Sequence, residues 1–206
     1  MAELAGKSAI IKVSGTATSL AEEALSHVTD TTWQISTVSK QVIDYNSTPT
    51  LEKSDGLGGW DDITYESVDK LQGIFTLSGA GEADTETIRV KAGNYLPLST
   101  ATYAHDFSYS KGVELMEVNK FGDDYKSRLA GTKFASGTLS QWDVTTDYYK
   151  DALTAGDPVV IEFLYETGAS PTRCFALLES VEMQAAINNP QDEVVSFIST
   201  DELLNS

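Results

Sequence analysis

The feature that most constrains this chain is a period of two in its apolar residues. Just after Gly156-Asp157-Pro158, the residues Val159, Ile161, Phe163 and Tyr165 occupy alternate positions. That is the repeat of a pleated strand with one buried face. The same period recurs at 31–37 (Trp33, Ile35), at 71–79 (Phe75, Leu77) and at 102–109 (His105, Phe107, Tyr109). It continues at 113–119 (Val113, Leu115, Glu117) and at 173–183, where Phe175, Leu177, Val181 and Met183 are in phase and Glu179 interrupts them. Further strands are expected at 8–13, 86–91, 137–142 and 193–199. Leu139 and Trp142 are out of phase, which places one of them at a bend.

Only one stretch reads clearly as a helix. Asp147 is placed to cap it, Tyr149 and Leu153 lie four apart on one face, Gly156 stops it and Pro158 prevents its resumption. Residues 20–25 offer a helical turn or two, and Asp123 or Asp124 a cap for another. Helices do not alternate with strands, which excludes a βαβ architecture. The expected fold is mainly β: two packed antiparallel sheets, sandwich- or barrel-like, with one flanking helix. Its 206 residues suit one domain.

The stretch 45–68 is polar and rich in turn signals, including Pro49, Asp55-Gly56 and Gly58-Gly59. It reads as a long loop or an extended hairpin. Long loops in compact domains usually have a task, and contact with a neighbouring subunit is one. Trp60 lies inside this stretch and must bury its indole somewhere. It either folds back on its own core or anchors an interface. Gly58, Gly59, Trp60, Asp61 and Asp62 are therefore the candidate assembly residues.

Thirty-one acidic and fourteen basic side chains give a net charge of -17. Such a chain repels duplex DNA and lacks the basic footprint of a sequence reader. With 41% hydrophobic residues, it has enough apolar surface to fold. No apolar run approaches the roughly 20 residues of a membrane span, and Met1–Lys12 shows no signal-peptide pattern. Cys174, the single cysteine, lies in the apolar run Cys174-Phe175-Ala176-Leu177-Leu178 and reads as a small core residue. A lone cysteine fits synthesis in a reducing cytoplasm.

Catalytic and cofactor signatures are not apparent. His27 and His105 stand apart from any His/Cys cluster with metal-ligand spacing, and His105 on an aromatic strand reads as a packing or hydrogen-bonded residue. Gly56-Leu57-Gly58-Gly59 lacks the Lys-Ser or Lys-Thr of a phosphate loop. The pairs Asp61-Asp62 and Asp123-Asp124 read as solvent-facing turn residues rather than a glycosidase pair or a calcium loop. The expectation is a non-enzymatic protein with no cofactor and no metal.

The stretch from Val118 to Trp142 resembles the tail tube proteins of long-tailed bacteriophages. It carries a strand, the turn Phe121-Gly122-Asp123, and then Gly131 and Gly137 entering a strand that ends at Trp142. The helix before Gly156-Asp157-Pro158 and the opening order, Gly6–Val13 and then Trp33-Gln34-Ile35-Ser36, are similar to that family as well. The resemblance implies two orthogonally packed sheets with a flanking helix, and self-association into hexameric rings stacked as a tube in the virion tail. It implies tail terminator, baseplate and tape-measure proteins as neighbours, and viral DNA passing through the lumen without specific binding. Acidic lumen residues would repel phosphate and keep the DNA sliding. Other virion subunits, such as a tail terminator, head-tail connector or head decoration protein, share the sheet-and-loop pattern. A carbohydrate-binding sandwich is a further alternative from a different class.

Overall fold

The computed structural model describes residues 10–78, 86–101, 104–118, 127–142, 148–164, 171–184, 192–200 and 204–205. The strands are β1 (Ile10–Ser14), β2 (Thr18–Ser19), β3 (Leu25–Thr29), β4 (Thr32–Ile35), β5 (Thr50–Ser54), β6 (Trp60–Ile63), β7 (Tyr65–Asp69), β8 (Ile74–Leu77) and β9 (Ile88–Ala92). They continue as β10 (Asn94–Tyr95), β11 (Leu98–Thr100), β12 (Ala104–Val118), β13 (Ser127–Trp142), β14 (Val159–Leu164), β15 (Thr172–Gln184), β16 (Asp192–Ser199) and β17 (Leu204–Asn205). A helix, α1 (Tyr148–Ala155), precedes β14. The chain divides into two compact units, one of Met1–Val13 with Thr100–Ser206 and the other of Ser14–Ser99.

The fold is mainly β, as the alternation requires, but its strands form four separate antiparallel sheets, none closed into a barrel. This corrects the expected pair of packed sheets. The larger sheet runs β1-β14-β15-β16-β13-β12, with β17 pairing on β15. Its core face carries Ile11, Val159, Ile161, Phe163, Cys174, Ala176, Leu178, Leu139, Val195 and Phe197. Tyr149, Ala152 and Leu153 of α1 join that cluster, as do Phe107 and Tyr109 of β12. Gly156 takes φ 72°, and its N–H donates to the Ala152 carbonyl at 2.9 Å, which closes the helix as its sequence foretells. The proposed cap, Asp147, lies outside the described residues, as do Asp123 and Asp124.

In the other unit, three small sheets, β3-β4-β8-β7, β6-β5-β9 and β10-β2, take the place of one large one. Trp33, Ile35, Phe75 and Leu77, the alternating residues of β4 and β8, are buried in one cluster with Leu51, Ile88 and Val90 from the β5 sheet. Residues 20–24 do not form the expected helical turn, because Glu22 sits at φ 64° and β3 starts at Leu25. Of the two readings of 45–68, the loop is replaced by the hairpin: β5 and β6 pair from Leu51↔Ile63 to Ser54↔Trp60, and β7 follows.

Local irregularities account for the phases that the simple period misplaces. In β15 an extra residue at Glu179 shifts the register against β16, between Leu178 and Ser180. The core face is therefore Cys174, Ala176, Leu178 and Val181, while Leu177 and Met183 are exposed. In β12 a similar shift at His105 turns that residue away from Phe107 and Tyr109, which face the core. A bulge adds one unpaired residue to one strand and re-aims its neighbours.

Candidate assembly surface

The turn between β5 and β6 is built around Asp55. Its Oδ1 accepts the Leu57 N–H at 2.7 Å and the Gly59 N–H at 2.8 Å. The hydrogen bonds from Leu57 and then Gly59 hold this carboxyl below the usual range. Gly58 sits at φ 100°, and a Cβ on Gly59 would lie 2.4 Å from Asp55 Oδ2, so the turn needs both glycines. Leu57 is left at the tip, 94% exposed.

Trp60 opens β6 and is half-buried. The Arg89 guanidinium covers its ring at 3.8 Å from the centroid. Arg89 Nε donates to Glu52 Oε1 at 2.5 Å, and Lys91 pairs with Asp62 at 2.6 Å. Trp60 thus belongs to a cross-strand ladder of aromatic and charged groups on the sheet's outer face. Asp61 is exposed opposite Lys53. The structure brings all five candidate residues, Gly58 to Asp62, to one end of one hairpin.

The second group of candidates is divided. Phe121, Gly122 and Asp123 lie outside the described residues. Gly131 falls within a register shift: Val113 pairs with Lys133 but Leu115 with Ala130, so β13 carries an extra residue there. Gly137 has no room for a side chain, since a Cβ would lie 2.2 Å from the Ser108 carbonyl oxygen and 2.7 Å from the Phe197 ring. Trp142 ends β13, 48% exposed, with His105 5.8 Å away between ring centroids. His105 Nε2 in turn lies 3.3 Å from Asp192. Next to Trp142, Gln141 Nε2 donates to the buried Glu193 carboxylate at 2.7 Å.

What sequence reading missed is the hairpin joining these residues. β12 and β13 are one long ribbon, paired from Ala104↔Gln141 to Val118↔Ser127. β13 pairs with β16 only from Ser136 to Trp142. Beyond Ser136 the ribbon leaves the sheet and the two strands pair only with each other. Eight residues of β12, Lys111–Val118, extend past the sheet, roughly 25 Å at strand rise. Val113, Leu115 and Phe134 are exposed on it. Phe134 lies across Gly112, whose absent Cβ would meet the ring at 2.6 Å. On its outer side β12 has no partner strand among the described residues. The sequence signal was present in two alternating runs, 102–109 and 113–119, with no turn residue strong enough to separate them except Gly112.

One buried charge cluster supports the same sheet. Glu162, 1% exposed on β14, accepts from Lys12 Nζ at 2.7 Å and from Arg173 Nε on the adjacent strands. Burial opposes its ionisation, but the hydrogen bonds from Lys12 and Arg173 outweigh this and hold the carboxyl below its usual range. Among the described residues, no group of three or more His, Cys, Asp or Glu is arranged to hold a metal ion, and no helix is long and apolar enough to cross a membrane. The arrangement offers association chemistry: an unpaired strand edge, exposed apolar side chains and surface charge.

No protein-family model matches the chain, and no curated protein does. Solved structures with a distant likeness to this chain include two from gene transfer agent (GTA) particles. One is a chain of the tail of an empty GTA particle, obtained by helical refinement with C6 symmetry. It is 13% identical with a TM-score of 0.44, and the match covers 53% of this chain and 87% of that one. The other is a chain of the virion of a native gene transfer agent particle, 12% identical with a TM-score of 0.44, over 53% of this chain and 88% of that one.

Proposed function

We propose that the chain is a structural subunit of a virion tail that associates with copies of itself into stacked rings forming a tube for DNA delivery. The observation that carries this reading is the outer edge of β12, fifteen residues long and without a partner strand among the described residues. A long bare edge is a template for pairing with another strand, and proteins that stay monomeric normally blunt it. Here the edge is not shortened, and no proline interrupts β12. Closing such edges from copy to copy requires a head-to-tail contact whose rotation returns on itself, which is the geometry of a ring. The Val118–Trp142 resemblance points the same way.

In this reading the β5–β6 turn, with Leu57, Gly58, Gly59, Trp60, Asp61 and Asp62, contributes a second contact between copies. Hexameric symmetry, and the tail terminator, baseplate and tape-measure proteins as neighbours, follow from the resemblance and belong to the same proposal. DNA passes along an acidic wall without being held, since the excess negative charge repels phosphate. The protein is made in the host cytoplasm and resides in the tail. It has no catalytic role and no cofactor.

Sedimentation velocity over a concentration series tests this. Species that grow in size with concentration, without a ceiling, are expected. A single ring-sized species at all high concentrations would favour a tail terminator or connector instead. A monomer throughout would contradict self-assembly.

A further inference from the structure

We infer that the free half of the β12–β13 ribbon docks on the acidic surface of a second copy of this chain through Lys111, Lys133 and the exposed apolar pair beside them. This rests on the self-assembly reading and names the chemistry of one contact within it.

Charge is the first argument. Over the ribbon residues 111–118 and 127–133 there are three basic residues, Lys111, Arg128 and Lys133, against two acidic ones, Glu114 and Glu117, a net of +1. The whole chain is -17, so the remainder is -17 - 1 = -18. The ribbon is therefore one of the stretches that are not acidic in a strongly acidic protein.

The second argument is how the cations are used. Several other described cations are engaged: Lys12 and Arg173 by Glu162, Lys40 by Glu23, Lys53 by Glu86, Arg89 by Glu52 and Lys91 by Asp62. Among the described residues, Lys111 and Lys133 make no ion pair and are exposed. Register puts them on one face. Lys111, Val113 and Leu115 alternate along β12, and Lys133 is the cross-strand partner of Val113. Val113 and Leu115 are 42% and 57% exposed. The face thus carries an exposed apolar pair, Val113 and Leu115, with both lysines at the end nearer the sheet and Glu117 at the other, an apolar core with a rim of mixed charge.

The third argument is support. A two-stranded ribbon on its own is marginal in water, so this one needs something to lie on. Copies of the chain repel one another through their net charge. A local patch of opposite sign is what lets two copies approach in one orientation. A duplex is the weaker occupant, because a net of +1 neutralises few phosphates and the rest of the surface opposes it.

The test uses the full chain and two double variants, K111R/K133R and K111E/K133E, with thermal melts to verify folding. Zero-length carbodiimide coupling on a mixture of 14N- and 15N-labelled copies, read by mass spectrometry, reports which amines meet which carboxylates. Amide links from Lys111 or Lys133 to an acidic residue of the other isotope are expected. The Arg pair should assemble within about twofold of the unmodified critical concentration, and the Glu pair should need roughly tenfold more protein. Links confined to single copies, or a Glu pair that assembles like the unmodified chain, would overturn the ribbon contact and leave self-assembly standing. A chain that never associates would overturn both. Binding of a labelled duplex that the Glu pair abolishes would reassign the ribbon to nucleic acid.

Discussion

Gly137, Glu162 and Cys174 mark how tightly single residues are fixed in the large sheet. A methyl at 137 would strike the backbone of β12 and the Phe197 ring together, and neither is the loose end of a flexible side chain. Gly137→Ala should cost about 1–3 kcal/mol in urea unfolding. An unchanged midpoint would mean the strands are further apart than described. Glu162→Gln should cost about 3 kcal/mol, because it strands a largely buried guanidinium. The carboxyl of Glu162 is held lower in the folded state than in the unfolded chain. Its stabilisation is therefore complete above an unfolded value of ~4.3 and is lost as pH falls through the folded one. Melting temperature should drop on acidification below that value, and by less in Glu162→Gln. Cys174 is fully buried, which pushes its thiol up to about 12. A thiol reagent at pH 8 should label it only after unfolding, and rapid native labelling would place it elsewhere. Cys174 and the Gly131/Gly137 pair were legible from sequence as residue types in context. The reasons were not: one glycine admits a bulge, the other a backbone and an aromatic ring.

At the scale of elements, strands with two-sided burial or clean alternation were readable, and short strands with charged outer faces were not. β14 follows directly from Val159, Ile161 and Phe163, and Phe163 is the centre of an aromatic stack with Phe107 at 5.2 Å, Tyr109 at 5.3 Å and Phe197 at 5.9 Å. β5 and β6 were hidden because the partners of Glu52, Trp60 and Asp62, namely Arg89 and Lys91, lie 29 to 37 positions further on in the sequence. A pattern in one segment does not reveal a ladder shared among three. The bulges at His105 and Glu179 flipped the remaining phases for a similar reason, since an inserted residue changes face without changing composition. The turn at Asp55 makes an element-scale prediction. Asp55→Ala removes the acceptor for two backbone N–H groups, so amide exchange at Leu57 and Gly59 should accelerate while exchange in β14 stays unaltered. Unchanged exchange at those two amides would show that the glycines alone hold the turn.

For the whole molecule, two features pull in opposite directions. A net charge of -17 keeps copies apart, while a fifteen-residue edge with no partner strand among the described residues is a template for pairing. Assembly in a fixed orientation would reconcile them, by closing edges and setting the non-acidic ribbon against acidic surface. Sequence alone could raise this through resemblance over some 25 residues, but the projecting ribbon depends on where β16 stops pairing, which no local pattern encodes. Negative-stain electron microscopy of the purified chain across a concentration series tests the central claim most directly. Hollow rods of uniform width and variable length are the predicted result. Isolated particles of monomer size at every concentration would contradict it.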